Sequence, residues 1–169
     1  MEKVVLVDMR DNEIGTEEKM AAHEKKLLHR AFSVFLYHEN RILLQKRAST
    51  KYHCPGLWTN TCCSHPRQGE EVKAAAIRRL QEEMEIYTED LEEIDSFIYC
   101  YPFSNGLTEF EYDHVLVGEY TGGFKAVPEE VDEIRWVEIS ELLEDIKNNP
   151  HIYTPWFITA IGKVVKFLE

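Results

Sequence analysis

The segment that most constrains this chain is GEEVKAAAIRRLQEEMEI, residues 69–86, set between runs that read as strands. Val72, Ala75, Ala76, Leu80 and Met84 recur at helical spacing on one side, while Glu70, Glu71, Arg78, Arg79, Glu82 and Glu83 charge the other. A helix with a single apolar stripe must lay it on a second layer. That layer is supplied by β-branched and alternating runs at residues 4–8, 31–37, 42–45, 94–101, 109–120 and 133–139, with DNEIG at 11–15 read as a turn and HENR at 38–41 as a hairpin turn. Ser140 is the expected N-cap of a helix carrying Leu142, Leu143 and Ile146, and Thr154-Pro155 opens a last helix running through Trp156, Ile158, Ile161, Val165 and Leu168. The expected fold class is α/β, an α+β sandwich of mixed sheets flanked by helices.

At 169 residues the chain suits one domain with a real core. No apolar run approaches the ~18 to 20 residues of a membrane span, and the start, MEKVVLVDMRDNE, lacks the features of a secretory signal. A cytoplasmic protein is expected, with its four cysteines reduced. Cys62 and Cys63 are not expected to bond each other, because neighbouring Cα atoms lie ~3.8 Å apart, below the disulfide range of ~4.4 to 6.8 Å. A net charge of −12 argues against a broad nucleic-acid surface but not against a small phosphorylated ligand met by a local cluster of cations or by a metal.

Several residues could carry chemistry. Glu109 and Glu111 in TEFEYD point to one face of a strand, as a solvated edge or as a pair around a cation. His23, His29 and His65 match no short zinc pattern, yet imidazole with carboxylate suits first-row divalent metals. Glu82 and Glu83 can pair within the helix with Arg78 and Arg79, or a carboxylate there can hold Mg²⁺ shared with a diphosphate. Cys63 sits in a polar loop with Asn60 and His65, as core or as a reactive thiol. Tyr99, Trp58 and Trp156 are core aromatics or faces for a cation.

Taken together, EKMAAHEKKLLHRAFS from Glu18, KRASTKYHCPGLWTNTCCSHP from Lys46, AAIRRLQEEM from Ala75, TEFEYDHVLV from Thr108 and TPWF from Thr154 resemble type 1 isopentenyl-diphosphate delta-isomerase, a Nudix-superfamily family, in the family's order across nearly the whole chain. The resemblance implies a single Nudix-fold isomerase domain over residues 1–169. It makes Cys63, within Asn-x-x-Cys-x-His-Pro at 60–66, the catalytic thiol and Cys62 a bystander. His23, His29, His65, Glu109 and Glu111 become a five-ligand site for Mn²⁺, Mg²⁺ or Zn²⁺, and Glu83 helps hold Mg²⁺ with the substrate diphosphate. Lys19, Arg47, Lys51 and Arg79 would face that diphosphate. Tyr99, with Tyr101 as the competing choice, would be the catalytic tyrosine beside Glu111, and Trp156 would face the isoprene carbons.

The implied reaction interconverts isopentenyl and dimethylallyl diphosphate by protonation and deprotonation, in isoprenoid biosynthesis. The expected partner is a small isoprenyl diphosphate, with no nucleic acid and no membrane, on a monomer or a weak homo-oligomer. Rival readings are a Nudix-type diphosphate hydrolase and a non-catalytic, metal-stapled binding module. Against the hydrolase box G-x5-E-x7-R-E-U-x-E-E-x-G-U, residues 64–86 carry Ser64 for the first Gly, Arg79 for a metal-binding Glu and Glu85 for the last Gly. Arg79 weakens a hydrolase metal cluster. Glu85 would be costly if the helix ends in the left-handed conformation.

Overall fold

The computed structural model describes residues 1–169. The chain runs β1 (Lys3–Val7), β2 (Glu13–Glu18), α1 (Lys19–Glu24), β3 (His29–His38), β4 (Arg41–Arg47), β5 (Trp58–Thr59), β6 (Cys62–Ser64), α2 (Val72–Met84), β7 (Glu92–Pro102), β8 (Thr108–Glu119), β9 (Val131–Glu138), α3 (Ile139–Asn148), a 3₁₀ turn (Pro150–Ile152) and α4 (Pro155–Leu168).

β3 organises the sheet. One edge pairs in parallel with β8 from His29 opposite Glu111 to Tyr37 opposite Glu119, and β7 lies antiparallel beyond β8. The other edge is shared along its length by β1 at His29, β6 at Phe32 to Val34, and β4 at Tyr37 and His38. β4 then leaves β3 and pairs with β5 and β9, so the sheet is mixed and splits above the middle of β3.

Directly paired residues share a face, and successive residues alternate. Phe35, Val115 and Val117 therefore lie on one side, buried with Trp156, Phe157, Ala160, Ile161 and Val164 of α4. Phe32, Val34, Leu36 and Leu116 lie on the other, under Ala75, Ala76, Leu80 and Met84 of α2. The sheet is thus sandwiched between α2 and α4, and the apolar stripe of residues 72–84 is used as its spacing predicts. No helix is long and apolar enough to cross a membrane.

Four short elements have no counterpart in the sequence reading: β2, α1, β5 and β6. The first turn comes earlier than expected, at Asp8, whose carboxylate accepts the N–H groups of Arg10 (2.8 Å) and Asn12 (3.0 Å), so residues 13–18 are free to pair with β1. α1 follows at once, with Glu18 as its N-cap accepting the N–H of Ala21 at 2.9 Å. The N-cap of α3 is Glu138, not Ser140, because the β9 pairing with β4 runs only as far as Glu138 opposite Arg41. α2 ends with Glu85 in the left-handed conformation (φ 49°, ψ 36°), where glycine is otherwise favoured.

Candidate active site and metal centre

The β3–β8 register brings His29 opposite Glu111, and alternation puts Glu109 on the same face. α1 adds His23 from one side and the segment just after β6 adds His65 from another. Ring centroids are 5.0 Å apart for His23 and His29 and 5.1 Å for His29 and His65. His23 Nδ1 donates to the Lys19 carbonyl at 2.6 Å and His29 Nδ1 to the Leu27 carbonyl at 2.8 Å. Those bonds leave both Nε2 lone pairs facing inward, His23 toward Glu109 Oε1 at 3.6 Å and His29 toward Glu111 Oε2 at 3.3 Å. His65 Nε2 lies 2.7 Å from the same Glu111 oxygen.

Buried polar atoms ordinarily find partners. Here the Nε2 atoms of His23 and His29 and Nδ1 of His65 have none, and donor atoms of the three rings lie within 4.8 Å of one another. Imidazole nitrogens beside two carboxylates are the donor chemistry of a first-row divalent ion, so this cluster can hold a metal. Burial pushes Glu111 up, but the imidazoles of His29 and His23 beside it outweigh that and hold the carboxylate at about 2. Burial, with the nearby His29 and Lys19, lowers His65 well below the usual imidazole range, which keeps that ring a neutral donor. Asp113, next on the same face, is pushed well up by burial and by Glu111, while its carboxylate accepts the Ser33 hydroxyl at 2.7 Å.

The two cysteines separate by strand alternation. Cys63 pairs opposite Ser33 on the α4 side, where Arg47 Nη1 lies 3.9 Å from its sulfur. Cys62 is fully buried toward α2, its thiol donating to Glu83 Oε2 at 2.7 Å. Burial, only partly opposed by Arg47, pushes the Cys63 thiol up to about 12, so it holds its proton at neutral pH. The rest of the TNTCC stretch is scaffold. Asn60 Nδ2 donates to the carbonyls of Val34 (3.2 Å) and Cys62 (2.8 Å), Thr61 donates to Leu43, and Thr59 and Thr154 hydroxyls meet at 2.8 Å, which ties β5, just ahead of the thiol strand, to the start of α4.

That tie sets Trp156, buried in the first turn of α4, against the site, with the Arg47 guanidinium 5.2 Å from its ring and Tyr99 6.5 Å away. Tyr99, opposite Glu111 on β7, donates its hydroxyl to Glu109 Oε2 at 2.9 Å, whereas Tyr101 is 42% exposed. The basic residues converge on the same cleft: Lys19, Arg47, Lys51 and Arg79 line it together with Cys63, His65, Glu83, Glu109, Glu111 and Trp156. Arg79 pairs with Glu82 (2.6 Å), Glu83 (3.0 Å) and Glu130 (3.3 Å). An ion-pair hub thus stands where a hydrolase box has a metal-binding carboxylate. His23 and His29 sit behind the cleft, fully buried.

Four nearby residues escaped the sequence reading. Glu130 bridges Lys51 and Arg79, Asp113 and Ser33 pair beneath the cleft, and His53 abuts Glu109 at 3.3 Å. For His53 the available signal was an imidazole in the basic loop ahead of the thiol strand. The others become visible only through contacts between distant segments.

This fold, with its box-derived helix, defines a class: residues 27–157 match the NUDIX domain family. Solved structures agree on the fold, including one from Deinococcus radiodurans (TM-score 0.71, 19% identity, covering 88% of this chain and 90% of that one) and a MutT NUDIX hydrolase from Burkholderia pseudomallei (TM-score 0.65, 21% identity, 81% and 98%). Closer in sequence are isopentenyl-diphosphate Delta-isomerase of Serratia proteamaculans, 46% identical over 95% of this chain and 89% of its own length, and isopentenyl-diphosphate Delta-isomerase 2 of Photorhabdus laumondii, 48% identical over 95% and 91%. Within the Nudix superfamily, the chain belongs to the isopentenyl-diphosphate Delta-isomerase family.

Proposed function

We propose that this chain interconverts isopentenyl diphosphate and dimethylallyl diphosphate, with Cys63 and the Glu111–Tyr99 pair as the two proton-transfer groups. The observation that carries the reading is one cleft lined by a protonated thiol, a buried carboxylate, a tryptophan face and four cations. An unactivated alkene is a poor base, so a positioned acid must deliver a proton to its terminal carbon. That carbon becomes a methyl group, and the electron deficiency falls on the neighbouring tertiary centre. Loss of a proton from the adjacent CH₂ then returns an electron pair as the new double bond. Because the interconversion is reversible, each proton-transfer group donates in one direction and accepts in the other.

Trp156 suits the cationic centre, since its ring already takes a guanidinium and a tryptophan face stabilises a cation by ~0.5 to 2 kcal/mol. Its burial at the first turn of α4 keeps water, which would trap the cation as an alcohol, from that side. Lys19, Arg47, Lys51 and Arg79 anchor the diphosphate, and Glu130 spans Lys51 and Arg79 to hold them at one end of the cleft. When bound, a divalent ion on His23, His29, His65, Glu109 and Glu111 would orient and polarise Glu111, and Mg²⁺ on Glu83 would screen the diphosphate charge.

The test incubates the chain with isopentenyl diphosphate and Mg²⁺ in heavy water, followed by proton and phosphorus NMR. Deuterated dimethylallyl diphosphate with its diphosphate intact is expected, and Cys63→Ala should abolish it. Phosphate release with no allylic product would overturn the proposal in favour of hydrolysis. An unchanged spectrum with Mg²⁺, Mn²⁺ and Zn²⁺ would leave a metal-stapled binding module.

A further inference from the structure

His53 lies in the loop between β4 and β5, is 1% exposed, and has no hydrogen-bond partner on either ring nitrogen. A buried imidazole with both nitrogens unpaired requires a reason. Packing fixes the ring: it stacks on Phe103 at 4.5 Å and meets His23 edge-on at 4.8 Å. Arg47 Nε donates to the His53 backbone carbonyl at 3.1 Å and holds the loop in place. In that pose His53 Nε2 is 3.3 Å from Glu109 Oε1, the oxygen that His23 Nε2 approaches at 3.6 Å. Donor atoms of His23, His53 and Glu109 lie within 4.8 Å of one another, as do those of His23, His29 and His65. Ligands each about 2.1 Å from one ion stand roughly 3 Å apart when adjacent and about 4.2 Å apart when opposite. The 3.3 and 3.6 Å contacts at Glu109 Oε1 are close to the adjacent spacing, and the two sets share His23.

We infer that His53 is a sixth ligand of the metal centre, giving it four imidazoles and two carboxylates. Such a nitrogen-rich set selects a first-row transition ion over Mg²⁺, which prefers oxygen donors and retains water. A phenylalanine or leucine would fill the space beside Phe103 equally well, so packing alone does not account for the imidazole. The inference rests on reading the His/Glu cluster as a metal centre, and the experiment separates the two.

The stripped full-length chain is titrated with Zn²⁺ while its histidine ring nitrogens, labelled with ¹⁵N, are followed by NMR. Ring-nitrogen shifts in four of the seven histidines are expected. Shifts in His23, His29 and His65 alone would overturn the role of His53, and no shifts at all would overturn the metal centre itself. Variants add a second readout. His53→Gln and His53→Phe should bind Co²⁺ about tenfold or more weakly, with stronger visible absorption as the coordination number falls and a smaller metal-induced rise in melting temperature. Wild-type Co²⁺ affinity and spectrum in a folded variant would refute the assignment, and if neither variant folds, the wild-type NMR titration decides alone.

Discussion

Replacing Glu85 with glycine should make the protein more stable. Glu85 closes α2 at φ 49° and ψ 36°, with its N–H bonded to the Gln81 carbonyl at 3.0 Å and the following Ile86 fully buried, so the chain cannot relax there without losing both contacts. A side chain in this conformation costs about 1–2 kcal/mol, from Cβ crowding the carbonyl. Glycine removes that strain but gives back about 0.4–1 kcal/mol through the greater freedom of the unfolded chain. The Lys125–Glu85 pair is 3.8 Å long, with side chains 80% and 46% exposed, and its loss is negligible. The net gain is roughly 1 kcal/mol, or about 2–4 °C in melting temperature for a chain of this size. Urea denaturation of wild type, Glu85→Gly and Glu85→Ala measures it, alanine removing the charge while keeping the strain. A glycine variant no more stable than the alanine variant would refute the argument.

Phe157→Ala should cost about 3–5 kcal/mol, since the ring is fully buried and stacked between Phe35 (5.9 Å) and Tyr153 (5.5 Å); a loss under ~2 kcal/mol in urea would show that α4 is not seated as described. Cys63 sets part of the alkaline limit: its thiol is pushed to about 12 from 9.0, so above pH ~9 the unfolded chain releases a proton that the folded chain keeps, and stability falls as pH rises toward 12. Cys63→Ala should flatten that limb in denaturant midpoints between pH 8 and 10.5, and an unchanged slope would refute the buried, protonated thiol. Arg79→Gln should raise KM for isopentenyl diphosphate about tenfold or more, the value of a charged hydrogen bond; an unchanged KM would remove Arg79 from the diphosphate end.

Wherever a single element repeats its own period, the sequence is readable by itself. The apolar stripe of α2, the Glu109 and Glu111 pair on one face of β8, and the Thr154-Pro155 start of α4 are all local properties of backbone geometry. The family resemblance carried the ligand and thiol assignments further, and the cleft does bring Cys63, His65, Glu83, both glutamates, Trp156 and the four basic residues together. Elements of two to six residues were not legible, because α1, β5 and β6 are too short to show a period and exist through pairing and burial. Tertiary structure alone decided the rest: that Tyr99 rather than Tyr101 reaches Glu109, that Glu130 spans Lys51 and Arg79, and that His53 turns its unpaired Nε2 toward Glu109. Each depends on a distance of about 3 Å between residues far apart in the chain, and such distances are fixed by strand register and packing, which no local pattern contains.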